Sequence, residues 1–297
     1  MNDDMKAIQK VAVLGAGAMG RQIALNAAVN GFSVHVADSF SNACVQAEAW
    51  SQSYLSKSVE EGKMSRQDAD TALARVTYTG ETGTAVTDCD LVIEAVIEDE
   101  DIKRALFTEV NRSAPADALI ATNSSYIPSS RFVDVIDNPA RLCNLHYFNP
   151  AMRMKLVEIV RGEHTGSETV EALKSFVHAV GKDYIVVNRE IEGFVVNRLL
   201  RAIQNEAFFL YQNGIASFED IDIGAEKGLN HPMGPFRLLD LAGLDICYLN
   251  RQNTYKKTGR PEDRPPAFLE EKYRKGELGV KTGKGWYDYR DRDGGTQ

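Results

Sequence analysis

The stretch that most constrains what this chain can become lies near its beginning. Val11-Ala12-Val13-Leu14 has the character of a buried strand, leads into Gly15-Ala16-Gly17-Ala18-Met19-Gly20, and continues as a helix through Arg21-Gln22-Ile23-Ala24-Leu25. In a strand, G-x-G-x-x-G turn and helix, each glycine has its own reason. Gly15 allows the tight turn, Gly17 lets the backbone approach a pyrophosphate, and Gly20 lets helix and strand pack closely. The phosphates would rest on the helix N-terminus, at Ala18 and Met19, where unpaired N–H groups and the helix dipole favour negative charge. A second apolar run, 32–37, ends on Asp38, 23 residues after Gly15. A carboxylate there accepts hydrogen bonds from ribose hydroxyls and repels a 2′-phosphate, so the unit predicts NAD rather than NADP. A glycine-rich turn with an unrelated surface Asp is the plainer reading, and the completeness of the unit argues against it.

The alternation continues. Short runs rich in Val, Ile and Leu at 90–95, 118–122, 142–146, 156–160 and 184–187 read as buried strands, and 41–61, 65–75, 99–114 and 167–180 read as helices. Ser65-Arg66-Gln67-Asp68 resembles a capping box, and Gly62 fits as the stop of the preceding helix. The pattern predicts an α/β domain of the Rossmann type, a parallel sheet with helices on both faces, over residues 1–187. From 188 to 297 it predicts a smaller all-helical domain. Val195, Leu199, Ile203, Ala207 and Leu210 recur at helical spacing before Gly214, Ser217-Phe218-Glu219-Asp220 resembles another capping box, and 236–258 is helical in character. Only the short WYDY at 286–289 reads as a strand, and the last eight residues read as a frayed end.

Composition excludes several classes of function. With 43% apolar and 26% charged residues over 297 positions, the chain is that of a folded globular protein. Its 34 basic against 42 acidic residues give a net charge of −8, which argues against nucleic acid or an anionic membrane as partner. No apolar run is long enough to span a bilayer, and the start MNDDMKAIQK is unlike a targeting peptide. Cys44, Cys89, Cys143 and Cys247 are too scattered for a zinc site, so no metal is expected, and a reducing cytoplasm is the expected home.

The chemistry lies further along. The run 142–146 delivers His146 at its carboxyl end, where ligands bind in open α/β sheets. Asn149-Pro150 follows, and then a run containing Glu158. A histidine in an apolar run is often only a satisfied core residue. A carboxylate in one needs a partner, and His146 is the obvious candidate. An imidazole whose tautomer is set by a carboxylate, beside a nicotinamide, is what alcohol oxidation requires: the base removes the hydroxyl proton as hydride leaves carbon.

VAVLGAGAMG, DLVIEAVIED, ATNSSYIPSS, LHYFNPAMRMKLVEIVRG, GFVVNRLL, GLNHPMGPFRLLDLAGLD and KTGKGWYDY, in that order, resemble the 3-hydroxyacyl-CoA dehydrogenase family over residues 11–289. The resemblance implies an NAD-dependent oxidoreductase interconverting a (3S)-3-hydroxyacyl-CoA, short-chain and 3-hydroxybutyryl-CoA-like, and its 3-oxoacyl-CoA, in fatty acid metabolism. It implies His146 as general base oriented by Glu158, Ser125 on the substrate oxygen, and Asn149 and Asn197 completing the site. Glu98, Lys103 and Asn123 would lie beside the cofactor, and the second domain would form a homodimer. Blander roles compete: Ser125 as a cap for a helix near Pro128, Asn197 on a polar stripe with Arg201 and Asn205, and Lys103 as a solvated residue paired with Asp99. A 6-phosphogluconate-type reductase fits less well, because those typically use a lysine as acid/base.

Three departures bear on the substrate. Tyr126 stands next to Ser125 where many members have a serine, which would narrow the pocket or make it more polar. The helix after the second strand usually carries lysines that meet CoA phosphates, but here Lys57 and Lys63 flank Glu60 and Glu61. Arg153 and Arg237 stand in usually different surroundings, and an arginine fork is the usual holder of a small carboxylate. The alternative is therefore an NAD-dependent dehydrogenase of a small free carboxylic acid, a hydroxy acid or a pyridine carboxylate, held by Arg153 or Arg237. A nucleotide-binding protein without turnover is a third reading, against which the retention of His146 and Glu158 argues.

Overall fold

The computed structural model describes residues 7–290. The first six residues of the polar start and all but residue 290 of the expected frayed end lie outside them. The chain divides into two compact units, one ending at Val196 and the other beginning at Asn197. That division falls later than the expected 187/188. The turn before Val196 belongs to the first unit physically: Phe194 packs against Val160 and Val187, and the amides of Val195 and Val196 donate to Glu158.

The first unit is an eight-stranded sheet: β1 (Lys10–Leu14), β2 (Ser33–Ala37), β3 (Val76–Thr79), β4 (Leu91–Glu94), β5 (Leu119–Thr122), β6 (Leu142–Tyr147), β7 (Leu156–Val160) and β8 (Asp183–Val187), in the order β3-β2-β1-β4-β5-β6-β7-β8. Helices α1 (Ala18–Val29), α2 (Ser41–Glu60), α3 (Arg66–Ala74), α4 (Thr82–Val86), α5 (Glu100–Ser113) and α6 (Ser167–Ala179) accompany it. Residues on alternate sides of the strands enter two separate apolar clusters. Val11 and Val13 enter one with α1 and α6, and Ala12 and Leu14 enter the other with α4 and α5. Both faces of β1 are buried, which is why its sequence is continuously apolar. Ser65 caps α3 by accepting from the Asp68 amide at 3.1 Å, as its sequence predicts. Gly62 takes φ +70°, the left-handed closing conformation.

Three differences from the sequence reading have physical causes. The sheet is not wholly parallel, because β6 and β7 form an antiparallel pair with His146 directly opposite Glu158. Strand β3 (VTYT) was not legible: an edge strand with no fully buried residue lacks the apolar run that marks the others. The expected WYDY strand makes only isolated bridges. Its backbone donors go to a buried carboxylate instead, Trp286 N to Asp240 Oδ1 at 2.8 Å and Tyr287 N to Asp240 Oδ2 at 2.9 Å.

The second unit is helical: α7 (Val196–Gln212, which begins one residue before the division), α8 (Phe218–Ile223), α9 (Pro235–Ala242), α10 (Leu244–Thr258) and α11 (Ala267–Arg274). The segment read as one helix over 236–258 is two, parted at Gly243 with φ +100°. Phe208, Tyr211, Phe218, Phe236 and Trp286 form its aromatic core, with edge-on contacts such as Phe236–Trp286 at 4.4 Å between centroids. Ser217 caps α8 through the Asp220 amide at 3.0 Å.

Candidate active site

The sheet's order reverses between β1 and β4, and ligands of open α/β sheets bind at the carboxyl ends beside that switch point. The glycine turn lies there. Gly15 takes φ +105°, and a Cβ on it would meet the Ala95 carbonyl oxygen at 2.6 Å. A Cβ on Gly20 would stand 1.7 Å from the Gly15 oxygen, which no neighbour could accommodate. A Cβ on Gly17 would meet nothing within 4 Å, so the space before this residue is open. Gly17 is also the N-cap of α1 and offers no side chain to the first-turn amides, Ala18 and Met19 among them. Open space, unpaired donors and a helix N-terminus fit a dinucleotide's pyrophosphate.

Asp38 follows β2. Its Oδ2 accepts from the Ala16 amide at 2.8 Å and its Oδ1 from the Phe40 amide at 2.9 Å. The carboxylate therefore holds the glycine turn in place and keeps lone pairs for two ribose hydroxyls. Asp38→Asn is expected to raise kcat/KM with NADPH relative to NADH by about tenfold, because the charge that repels a 2′-phosphate is gone. An unchanged ratio in steady-state assays would remove Asp38 from cofactor choice.

The catalytic candidates sit further along the sheet. The antiparallel register faces His146 with Glu158, and Nδ1 lies 2.7 Å from Glu158 Oε2. The other carboxylate oxygen, Oε1, accepts from the amides of Val195 and Val196, both at 3.0 Å. Those amides are aimed by a turn in which Phe194 has φ +46°, a conformation costing a bulky residue about 1–2 kcal/mol. With Glu158 accepting throughout, the ring proton is assigned to Nδ1, and Nε2 is left as the acceptor. Ser125 Oγ lies 2.9 Å from Nε2. Phe148 and Phe194 pack edge-on to the imidazole at 4.7 and 5.5 Å between centroids, so the ring is 3% exposed and Glu158 fully buried. Serine, imidazole and carboxylate thus form one line of hydrogen bonds.

Ser125 does not cap a helix. The 3-10 helix Ser129–Val135 is preceded by Pro128, and Ser125 instead reaches His146. A second hydrogen-bonded line, missed by the sequence reading, holds its loop. Glu94, the last residue of β4, is fully buried; its Oε1 accepts from Lys103 Nζ at 2.6 Å and its Oε2 from Thr122 Oγ1 at 2.5 Å. Thr122 Oγ1 accepts from the Ser124 amide at 3.1 Å, and Ser124 Oγ donates to Glu98. Burial pushes the Glu94 carboxyl above its usual range, against the opposing pull of Lys103. Lys103 is 1% exposed, not solvated, and its other ionic neighbour is Glu98 at 3.4 Å rather than Asp99. Asp99 caps α5 through the Ile102 amide. A carboxylate closing the apolar run DLVIE was the available signal for Glu94, by the same logic that singled out Glu158.

Asn123 Oδ1 accepts from the Tyr147 amide at 2.9 Å, tying β5's end to β6. Asn149 Oδ1 accepts from Gln22 Nε2 at 3.3 Å, which links the loop after β6 to α1. Lys182 Nζ holds that loop from below through the carbonyls of Ala151 and Met154, at 2.6 and 2.7 Å, and burial pushes its ammonium below the usual range. Asn197 belongs to the second unit, on α7. The two arginines considered for a free carboxylate have company. Arg153 is exposed and its charge acts on Glu61. Arg237 lies over the Tyr287 ring at 3.9 Å with Glu226 3.7 Å from its Nε.

Among the described residues no group of three or more His, Cys, Asp or Glu could hold a metal ion, and no helix is long and apolar enough to cross a membrane. A doubly wound sheet with this glycine turn, followed by a helical unit, defines a dinucleotide-dependent oxidoreductase. Residues 10–191 match the family model described as 3-hydroxyacyl-CoA dehydrogenase, NAD binding domain, and residues 193–289 match the corresponding C-terminal domain. The chain belongs to the 3-hydroxyacyl-CoA dehydrogenase family, enzymes that use NAD and act on a CH–OH group. It is 36% identical to a 3-hydroxybutyryl-CoA dehydrogenase of Bradyrhizobium diazoefficiens, over 95% of this chain and 96% of that one. The crystal structure of (S)-3-hydroxybutyryl-CoA dehydrogenase PaaH1 from Ralstonia eutropha is similar with a TM-score of 0.85 and 35% identity, over 95% of this chain and 99% of that one. A 5-formyl-3-hydroxy-2-methylpyridine 4-carboxylic acid 5-dehydrogenase is similar with a TM-score of 0.70 and 29% identity, over 95% and 91%.

Proposed function

We propose that this protein interconverts a short-chain (3S)-3-hydroxyacyl-CoA and its 3-oxoacyl-CoA with NAD, and that His146 is the general base. The observation that carries this reading is the line Ser125–His146–Glu158, whose acceptor nitrogen is Nε2. Bound NAD supplies the acceptor for the hydride that leaves the carbinol carbon. In the oxidation direction, Nε2 takes the hydroxyl proton and the ring becomes imidazolium. Glu158, held by two amides, offsets that charge without moving, because its partners are already in place. Ser125 donates to the oxygen as it becomes a carbonyl, and in the reverse direction His146 returns the proton to it. Asn149, Asn197 and Asn123 complete the site in this reading, with Glu98 and Lys103 beside the cofactor.

Purified protein is expected to consume NADH on addition of acetoacetyl-CoA, and failure to do so at saturating NADH would overturn the reading. A second reading, a small free carboxylic acid as substrate, is favoured by one feature. Lys63 and Lys57 lie 2.7 and 3.8 Å from Glu61, so the cations at the end of α2 already have a carboxylate. A panel of free hydroxy acids in the same assay separates the two.

The proposal extends to a cytoplasmic homodimer serving fatty acid metabolism. Supporting the dimer, the second unit exposes apolar pairs at helical spacing: Leu199 and Ile203 on α7, Leu238 and Leu241 on α9, Ile246 and Leu249 on α10. Ile203→Asp is expected to shift the sedimenting species from dimer to monomer at micromolar protein; a wild type that sediments as a monomer would end this part of the proposal.

A further inference from the structure

The first turn of α1 carries a guanidinium that the protein itself leaves unused. Arg21 follows Gly20 directly, and its Cζ stands 4.7 Å over the ring of Trp50. Trp50 in turn packs on Tyr54, with centroids 5.1 Å apart and planes 30° from parallel. Among the described residues no carboxylate, carbonyl or hydroxyl accepts from the Arg21 side chain, and its Nε is buried without a partner. Arg104 and Arg131 are held by Asp134 and Glu100, and Arg141, whose Nε is also buried without a partner, still donates through its terminal nitrogens to the carbonyls of Pro115 and Ala118 and to Asn111 Oδ1. An unpaired buried donor is costly, and more so on a charged group. Stacking on an indole uses only the face of the guanidinium and leaves its in-plane N–H fork pre-oriented for a bidentate anion.

The surroundings locate the guanidinium. The neighbouring residue, Gln22, donates to Asn149 Oδ1 and accepts from the Met152 amide at 3.4 Å. Met152 packs in the same cluster as Trp50 and Tyr54. Arg21 therefore stands where α1, α2 and the loop bearing Asn149 meet, outside the line that does the chemistry. The carboxylate at the end of α2, Glu61, is occupied by Lys63 and Lys57.

We propose that Arg21, held flat by Trp50, is the anchor for the phosphates of the thioester's CoA tail and sets the preference of this enzyme for a phosphorylated acyl carrier. The inference rests on the acyl-CoA reading above. The pyrophosphate of the cofactor and the carboxylate of a free acid share its chemistry, and the assay arms separate them.

Arg21→Gln, Arg21→Lys and Trp50→Leu would be assayed with acetoacetyl-CoA, with acetoacetyl-pantetheine, which lacks the phosphates, and with varied NADH. Arg21→Gln is expected to raise KM for acetoacetyl-CoA about 10- to 100-fold. Its effect on KM for acetoacetyl-pantetheine and for NADH should stay below about threefold. Lysine should restore part of the loss, and Trp50→Leu should show a smaller loss of the same kind. Equal KM for acetoacetyl-CoA in wild type and Arg21→Gln overturns the assignment, as does a rise confined to NADH, which would give Arg21 to the cofactor. A wild type that turns over free acids and no thioester overturns the acyl-CoA reading itself and the phosphate assignment with it, whereas turnover of acetoacetyl-CoA with an indifferent Arg21 overturns only the latter.

Discussion

Alanine at position 146 is expected to lower kcat for acetoacetyl-CoA reduction by about a thousandfold while leaving NADH binding within about twofold of wild type. The magnitude is that of a positioned general acid–base lost from a site that keeps its other binding groups. The separation of effects follows from geometry. His146 touches Ser125, Glu158 and two phenylalanine rings, whereas the glycine turn is held by Asp38 on the other side of β1. Steady-state kinetics together with NADH fluorescence titration measures both parts. A kcat within tenfold of wild type would remove His146 from the chemistry. Glu158→Gln should also lower kcat, because it removes the charge that offsets the imidazolium and sets an NH2 donor against either Nδ1–H or the amides of Val195 and Val196.

The second large effect concerns stability. Lys103→Met is expected to destabilise the first unit by about 3–5 kcal/mol, the usual result of removing one partner from a fully buried ion pair. Methionine nearly preserves volume, so the loss reports the stranded Glu94 carboxylate rather than a cavity. Thermal unfolding would shift down on the order of 10 °C. The pH dependence has a definite sign. Burial raises the Glu94 carboxyl, and without Lys103 only Thr122 and the Val96 amide oppose that. The folded variant then holds a proton that the unfolded chain releases near the ordinary carboxyl pKa. Where native binds more protons than unfolded, stability falls as pH rises. The variant should therefore be closer to wild type near pH 5 than near pH 8, and a deficit independent of pH, in urea unfolding at both, would contradict this account. Activity should fall as well, since Thr122 and Ser124 of the same network carry the loop that presents Ser125.

How much of this was legible in the sequence varies with the distance over which each feature is decided. The glycine turn, Asp38, and the caps at Ser65 and Ser217 depend on residues a few places apart, and all were readable. His146 and Glu158 were readable as a pair because an apolar run makes a carboxylate conspicuous, though their antiparallel register was not. Strand β3 was hidden because its residues are only partly buried. The WYDY segment misled because a run of aromatics looks the same whether its amides meet a neighbouring strand or, as here, Asp240.

The chain's own order of residues determined that a strand, a three-glycine turn and a helix would form a dinucleotide site, since those requirements are local and steric. Only the tertiary structure decided that Glu94 closes on Lys103 and Thr122, that two amides hold Glu158, and that Arg21 lies unpaired on an indole. Each of these joins groups from different elements, which lie nine residues apart for Glu94 and Lys103 and 28 or more for Thr122 and the Val195 amide, and whose meeting depends on how those elements pack. Burial then makes the meeting matter, because charge withdrawn from water must find a partner within hydrogen-bond reach or go without one.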